Sequence, residues 1–411
     1  MKRVLCLALA SLLLLCACAP GADISGADSE NAYDTSDQYS DSPASNPDTS
    51  SDDSDTVSGE PDTDASDETE VSKDEAETSK NEDEISKDED ETSKGENTVT
   101  EHPTVSGTFV QLWAFTGYSQ AKWESHFDKL LEVGIDTVII QWTASTPYGK
   151  FDDCYYDTAL AAGNSTSGYK NYSKCMDNMF AAASAKGVKL FVGLNLSDEW
   201  WDVSKLTDDW AASQASVGLA MAQELYDKYY NKYTDSFAGW YWAWELYNHM
   251  GGFAEAAGRF LNLYLNGLTE IDPSLPMMLS PFLSSSASTA DTERVWKEVF
   301  AIADFREGDI FCSQDSIGAG FITMDELDGY FAAMKAAVDT EPGLVFWANN
   351  EDFTTDYGTA SLDRFVRQME ITDKYVTGHV TFAYSHYYHP DMGKKSYHEQ
   401  YKHYYETGEI G

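Results

Sequence analysis

Residues 239–245 read Gly239-Trp-Tyr-Trp-Ala-Trp-Glu245, and residues 344–351 read Leu344-Val-Phe-Trp-Ala-Asn-Asn-Glu351. Both stretches are rich in the aromatic and β-branched residues that strands prefer, and each ends on a glutamate. Carboxyls at the carboxyl-terminal ends of two parallel strands can converge on one substrate. Two carboxyls that flank a glycosidic bond are what its hydrolysis requires, so Glu245 and Glu351 indicate chemistry on sugars.

Strand-like runs and amphipathic stretches alternate through the rest of residues 106–411. The predicted strands are residues 109–115, 137–142, 189–196, 237–245, 277–282, 309–315, 344–351 and 379–384. The predicted helices are residues 121–132, 177–186, 215–230, 253–269, 292–303, 325–338 and 361–374, with a final one at 398–406. This alternation predicts an α/β fold, a single (β/α)8 barrel. An open doubly wound sheet is the rival, but no Gly-x-Gly-x-x-Gly or Walker loop follows any strand.

Strand parity predicts which side chains share a face with the two glutamates. Alternation places Glu245 with Tyr241 inside the barrel and turns Trp242 and Trp244 outward to the helices. Substrate-binding candidates lie near the predicted strand ends: Trp113, Gln141, Trp142, Asn195, Gln314, Trp347, Asn349, Tyr384 and His386. Amides and hydroxyls among them could hydrogen-bond sugar hydroxyls, and aromatic rings could stack on pyranose faces. Trp347 is also a candidate for the barrel floor.

Other carboxyls compete with the glutamate pair. Asp315 is a third catalytic candidate, because it ends a strand beside the turn Gly318-Ala-Gly320. Glu199 follows another strand, next to Trp200 and Trp201. The alternative for each is a solvated or ion-paired loop carboxylate. This alternative is weakest for Glu245, because a charge beside so much aromatic surface requires a hydrogen-bonding partner or a function.

These stretches resemble those of bacterial barrel glycoside hydrolases, specifically an uncharacterised group with glycosidase-like features. The resemblance covers about residues 107–390 and rests on residues 239–245, 313–320 and 346–351. It implies that Glu245 is the acid/base and Glu351 the nucleophile of a retaining glycosidase. The family pattern usually has Asn before the first glutamate, whereas this chain has Trp244, which puts the shared mechanism in doubt.

The N-terminus predicts export. Residues 1–18 combine Lys2 and Arg3 with a short apolar stretch, as a signal peptide does. Leu15-Cys16-Ala17-Cys18 resembles the bacterial lipoprotein signal, which implies a lipid anchor on Cys18 at the outer face of a bacterial membrane. The alternative is ordinary cleavage after Ala19, which would release a soluble protein.

Residues 19–105 form an acidic Ser/Thr/Asp/Glu-rich segment with almost no large apolar residues. Its degenerate seven-residue repeat, such as Ile85-Ser-Lys-Asp-Glu-Asp-Glu, has one β-branched position and no second apolar one, so a solvated linker is favoured over a coiled coil. We expect rapid proteolytic trimming of residues 20–100, and slow amide exchange anywhere in the repeat would revive the coiled coil.

Charge limits the class of partner. The chain carries a net charge of −43, and residues 21–105 hold 28 Asp and Glu against 4 Lys, so the predicted barrel is itself strongly acidic. Nucleic acid is therefore a poor partner, while a neutral oligo- or polysaccharide is compatible. A monomer is expected.

The sequence predicts no cofactor and no metal. Four histidines lie near the C-terminus without a compact pattern of carboxylates beside them: His386, His389, His398 and His403. The sequence also contains no twelve-residue calcium-binding loop. Cys154 and Cys175 could bridge one loop or remain free buried thiols.

Two functions from different classes remain: a cell-surface glycoside hydrolase, and a carbohydrate-binding surface lipoprotein without turnover. A transport-type solute-binding lipoprotein is disfavoured, because such proteins have two lobes joined by crossover segments.

Overall fold

Eight parallel strands close into a barrel in which each strand pairs with the next along the chain. They are β1 (Gly107–Val110), β2 (Thr137–Ile140), β3 (Lys189–Gly193), β4 (Phe237–Trp242), β5 (Met277–Leu279), β6 (Ile310–Gln314), β7 (Val345–Glu351) and β8 (His379–Phe382). Closure occurs between β8 and β1, where Gly107 is level with Val380. The predicted (β/α)8 barrel is confirmed, and the open-sheet alternative is excluded.

The computed structural model describes residues 102–411, without the side chains of residues 203 and 251. The predictions for the signal peptide, for Cys18 and for the acidic segment lie outside these residues, apart from the last few positions before 106. Within residues 102–411, no helix has the length and hydropathy needed to cross a membrane.

One long helix follows each strand and covers the barrel. These helices are α1 (Gln120–Leu131), α2 (Lys174–Lys186), α3 (Asp208–Leu225), α4 (Ala254–Ile271), α5 (Thr289–Phe300), α6 (Met324–Val338), α7 (Leu362–Thr372) and α8 (Lys395–Thr407). Side-chain caps fix several starts: Ser119, Thr207, Ser288 and Ser361 each accept a first-turn N–H. The predicted start of α3 at residue 215 is wrong, because the Thr207 cap begins the helix seven residues earlier.

Two parts of the chain differ from the predicted elements: the end of the first predicted strand and the connection after β2. The first strand ends at Val110, and a short 3-10 turn, Leu112–Ala114, replaces its predicted second half. The long connection after β2 forms short strands, Ala144–Ser145, Phe151–Cys154 and Ser165–Asn171, which join Asn195–Leu196 in a four-stranded sheet. This added sheet extends from the carboxyl-terminal ends of β2 and β3.

Aromatic side chains fill the layers inside and outside β4 according to strand parity. Inside the barrel, Tyr241 packs edge-on against Phe109, with ring centroids 5.2 Å apart. Outside it, Trp242 contacts Phe260 of α4, and Trp244 Nε1 donates to Tyr264 Oη at 3.1 Å. The predicted orientations of Tyr241, Trp242 and Trp244 are confirmed, and the two tryptophans are buried packing residues.

Cys154, Cys175 and Cys312 are buried free thiols. The disulfide considered for Cys154 and Cys175 does not form. Burial raises the pKa of each of those two thiols to about 12, so neither is a ready nucleophile.

Candidate active site

Glu245 lies three residues beyond the end of β4, at the carboxyl-terminal end of the barrel, and is half-buried. Its main-chain oxygen accepts a 3.0 Å hydrogen bond from Trp200 Nε1, which fixes the backbone at this position. Its side-chain Oε1 accepts from Gln314 Nε2 at 3.3 Å, and the same Nε2 donates to the Ser280 carbonyl at 2.8 Å. One amide from β6 thus orients the Glu245 carboxyl.

Desolvation dominates the electrostatics of Glu245. Burial raises the pKa of its carboxyl to about 7, and the Gln314 hydrogen bond only partly offsets this rise. A carboxyl with such a pKa is still partly protonated at neutral pH, which is what a general acid needs.

The raised pKa of Glu245 predicts a pH-dependent stability. Between pH 4.5 and about 7 the unfolded chain releases this proton while the folded chain keeps it, so stability falls as pH rises through that window. Glu245→Gln should remove at most about 3.5 kcal/mol of this loss of stability, since the shift runs from 4.5 to about 7 and one pKa unit is about 1.4 kcal/mol. Urea unfolding at pH 4.5 and pH 8 measures the difference between the two proteins. Equal slopes would show that the Glu245 carboxyl is not desolvated.

Glu351, the last residue of β7, is almost sealed from solvent, with 2% of its surface exposed. Its Oε2 accepts a 2.7 Å hydrogen bond from the Ala319 N–H in the β6–α6 loop. A Cβ on Gly318 would lie 2.9 Å from Glu351 Cβ and 2.6 Å from the Phe353 carbonyl oxygen. Glycine at 318 therefore allows the loop to close directly over Glu351. Burial and the neighbouring Asp315 carboxylate raise the pKa of Glu351 well above its ordinary value.

Asp315 lies beneath this loop with no exposed surface. Its Oδ1 accepts from the Ile317 N–H, and its Oδ2 accepts from Asn350 Nδ2, the Glu351 N–H and Gln368 Nε2. The catalytic role predicted for Asp315 requires contact with substrate, and this position gives none. Asp315 instead holds the β6–α6 loop and the end of β7 in place.

Several predicted substrate-binding residues lie together around the mouth of the barrel. Gln111 Nε2 donates to Gln141 Oε1 at 2.7 Å, and the Gln111 N–H donates to His386 Nε2 at 3.3 Å. The half-buried ring of Trp113 lies 6.3 Å from that of His386. Burial lowers the pKa of His386 to about 3, so its imidazole is neutral and carries its hydrogen on Nδ1.

Asn349 faces the barrel interior one layer below Glu351. Its Nδ2 donates to Ser280 Oγ at 3.1 Å, while its buried Oδ1 has no hydrogen-bond partner among the described residues. An unsatisfied buried acceptor costs free energy that a bound hydroxyl or a water can recover. Trp142 is half-buried just beyond β2 and packs on the core.

Three of the predicted substrate-binding residues are elsewhere. Asn195 is fully buried, where its amide donates to Thr146 and Gln214 and its oxygen accepts from Tyr264 Oη. Asn195 has no exposed surface and is engaged by α3 and α4, so its position gives no support to the predicted substrate-binding role.

The predictions for Tyr384 and Trp347 also need correction. Tyr384 is buried and its hydroxyl pairs with His398 Nδ1 of α8 at 2.9 Å, so it faces away from the barrel mouth. Trp347 packs against Gly378, immediately before the start of β8, where a Cβ would lie 2.9 Å from its Nε1. That position is the barrel floor, opposite the end at which substrates bind.

Glu199 supports the β3–α3 loop. Its Oε1 accepts from the Tyr148 N–H at 2.8 Å and its Oε2 from Trp210 Nε1 at 2.9 Å. This clamp positions Trp200 and Trp201, which follow directly in the chain. Glu199 is therefore a structural carboxylate.

A cavity of about 450 Å³ opens beside Glu245. Sequence reasoning identified only Trp200, Trp201 and Glu245 among its walls. The other aromatic residues that line it are Trp210, Tyr247, His249, Phe253, Phe260, Phe282 and Phe321. They come from α3, α4 and the loops after β4, β5 and β6, so no local pattern connects them.

One cluster in residues 102–411 combines His126, His389 and Asp391 closely enough to suggest a metal site. All four imidazole nitrogens already make hydrogen bonds: His126 with Asp391 and Ser385, and His389 with the His126 carbonyl and the Asp391 N–H. The two rings also stack, with centroids 3.6 Å apart. Metal ligation would break these contacts, so the cluster is a packed polar network.

The family model for a domain of unknown function (DUF4434) matches residues 105–394. The chain belongs to the DUF4434 family. A search among curated proteins found no match to this family member. The family match agrees with the resemblance to an uncharacterised group that residues 239–245, 313–320 and 346–351 indicated.

Solved structures share the barrel of this DUF4434 protein. A "putative alpha-L-fucosidase" from Bacteroides thetaiotaomicron VPI-5482 superposes with a TM-score of 0.61 at 20% identity, covering 75% of this chain and 94% of its own. The endo-beta-1,4-mannanase from Thermotoga petrophila gives a TM-score of 0.47 at 12% identity, covering 76% and 78%. At 20% identity, the similarity to the Bacteroides structure establishes the fold alone.

Proposed function

We propose that this protein is a glycoside hydrolase that acts on neutral oligo- or polysaccharides, with Glu245 as its general acid. The observation that carries the proposal is Glu245: it is half-buried at the carboxyl-terminal end of the barrel, it is among the residues that line the cavity, and the pKa of its carboxyl is raised to about 7. The fold shared with the structure titled "putative alpha-L-fucosidase" supports the reaction class.

The proposed reaction uses two carboxyls. Glu245 donates its proton to the glycosidic oxygen, and the leaving group departs as an alcohol. In the retaining version, the β6–α6 loop moves off Glu351, and the ionised carboxylate bonds to the anomeric carbon. Water, deprotonated by Glu245, then releases the sugar and regenerates both groups. The charge of Arg364 favours the ionised form of Glu351, against the effects of burial and Asp315. Retention is favoured slightly, and NMR of the first-formed anomer decides between retention and inversion.

A carbohydrate-binding protein without turnover is the second candidate. The observation that favours it is the state of Glu351, which is almost fully buried, held by Ala319 and biased toward its protonated form. A carboxyl in that state cannot attack an anomeric carbon unless the β6–α6 loop moves. Saturable sugar binding with no hydrolysis at high protein concentration would establish this alternative.

A panel of aryl glycosides and polysaccharides tests the proposed function. We expect the full chain to hydrolyse at least one member and Glu245→Gln to abolish most of that activity. Glu255→Gln is the matched control, because Glu255 is exposed on α4 near the cavity and pairs only with Arg259. Equal activity of Glu245→Gln and Glu255→Gln would reject Glu245 as the acid.

We also propose that the protein is exported and anchored through a lipid on Cys18. Cys18→Ser should move the protein from the detergent phase to the aqueous phase in a Triton X-114 partition, because the acyl chains supply the membrane affinity. Unchanged partitioning would mean that Cys18 carries no lipid, as ordinary cleavage after Ala19 would require.

A further inference from the structure

The cavity beside Glu245 has walls of a different chemistry from the barrel mouth. Trp200, Trp201 and Trp210 form one side, and Phe253, Phe260 and Phe282 lie among the residues on the others. Most of the lining surface is apolar, and the polar lining residues are Thr207, Asp208, Glu245, Tyr247, His249, Ser284 and Ser286. Sugar rings present several hydroxyls, each of which needs a hydrogen-bond partner when water is removed. An apolar aromatic group therefore matches this lining better than a ring that carries several hydroxyls.

The partners that a sugar needs lie around the barrel mouth instead. Gln141, Gln314 and His386 present amide and imidazole groups there, and Asn349 presents its amide one layer deeper in the barrel. Glu245 belongs to both regions, because its carboxyl is bonded to Gln314, while the residue also lines the aromatic cavity, where its main-chain oxygen accepts from Trp200 Nε1. A general acid stands at the bond being cleaved, with the sugar on one side and the leaving group on the other.

We propose that the aromatic cavity is the leaving-group subsite, and that the natural substrate is a glycoside with an apolar, aromatic aglycone. This inference rests on the proposed function. The sugar occupies the barrel mouth, the aglycone enters the cavity, and Glu245 protonates the oxygen that joins them. The aglycone then departs as a phenol or alcohol. A volume of about 450 Å³ lies within the range of small-molecule sites and accommodates a fused-ring group.

Small residues on α4 keep the cavity open. Ala256 and Ala257 line it, and Ala256 is only half-buried. A phenylalanine at 256 can therefore fill the cavity without displacing the core. Ala185, exposed on α2, is the matched control position. Phe253, 49% exposed, supplies a second variant because its truncation to alanine removes a cavity wall with little effect on folding.

A binding titration with 2-naphthol tests the cavity without turnover. Quenching of tryptophan fluorescence reports binding, because Trp200, Trp201 and Trp210 line the cavity. We expect saturable binding that Ala256→Phe and Phe253→Ala each weaken about tenfold or more, the loss of about 1.4 kcal/mol. Ala185→Phe should bind as the wild type does. Wild-type affinity in both cavity variants would overturn the proposal.

A substrate comparison tests the leaving-group role. For the sugar that the panel identifies, Ala256→Phe should lower kcat/KM for the 2-naphthyl glycoside at least tenfold more than for the methyl glycoside. The variant-to-wild-type ratio cancels the intrinsic reactivity of each substrate. Equal losses on both would overturn the subsite. If the wild type hydrolyses no glycoside while 2-naphthol still binds in the cavity, the proposed function fails and the aglycone role fails with it.

Discussion

Glu245→Gln should lower kcat/KM for glycosides with poor leaving groups by about 10²- to 10⁴-fold, the usual contribution of a general acid. The loss should be far smaller for dinitrophenyl glycosides, because a good leaving group departs without protonation. The physical basis is the raised pKa of Glu245, which keeps its carboxyl partly protonated near neutral pH. Steady-state kinetics on a leaving-group series measures both effects.

The same series on Glu255→Gln controls for the loss of one carboxylate near the cavity. Its rates should match those of the wild type across all leaving groups. If Glu245→Gln loses the same factor on dinitrophenyl and alkyl glycosides, Glu245 does not donate the proton, whatever its position at the barrel mouth.

Asp315→Ala should destabilise the folded barrel by about 3–5 kcal/mol. The substitution leaves the Ile317 and Glu351 N–H groups and the Asn350 and Gln368 amides without their shared acceptor. Three of the four donors, those of Asn350, Glu351 and Gln368, are buried, and there an unpaired donor carries its whole desolvation cost. Urea unfolding of the variant and the wild type at pH 7 measures the difference.

The control for Asp315→Ala is Asp304→Ala, at an exposed position after α5, where less than about 0.5 kcal/mol should change. A variant at 315 with wild-type stability but no turnover would contradict the positioning role. That result would return Asp315 to the catalytic candidates that the sequence suggested.

The barrel could be predicted because its signals are local. Strand-like runs, amphipathic stretches and strand parity are each read from short stretches of consecutive residues, and the outward packing of Trp242 and Trp244 followed from alternation alone. The cap at Thr207 is an equally local signal, so the start of α3 could have been found from it.

Whether a predicted site residue can reach substrate depends on the partners that the fold brings to it from distant parts of the chain. Asn195 and Tyr384 follow strands as site residues do, but helices α3, α4 and α8 provide partners that consume their polar groups. Asp315 ends a predicted strand, as a catalytic carboxyl does. Its Oδ2, however, accepts from three donors distant in sequence: the Asn350 amide, the Glu351 N–H and the Gln368 amide. Which carboxyl is exposed depends on such long-range contacts.

The aromatic cavity could not be predicted for the same reason. Ala256, Ala257 and Phe260 follow the periodicity of an ordinary core-facing helix, and nothing in that pattern shows that part of the face borders empty space. The shape of the cavity depends on how α3, α4 and the loops that follow β3, β4, β5 and β6 pack together.

A crystal structure of Glu245→Gln soaked with an oligosaccharide or aryl glycoside would show whether residue 245 stands at the bond that is cleaved. We expect the glycosidic oxygen within about 2.6–3.2 Å of the side chain at 245, with the sugar toward Gln141 and His386. We also expect the anomeric carbon to face Glu351. A sugar bound wholly outside the barrel mouth, with its glycosidic oxygen beyond hydrogen-bonding reach of residue 245, would contradict the claim.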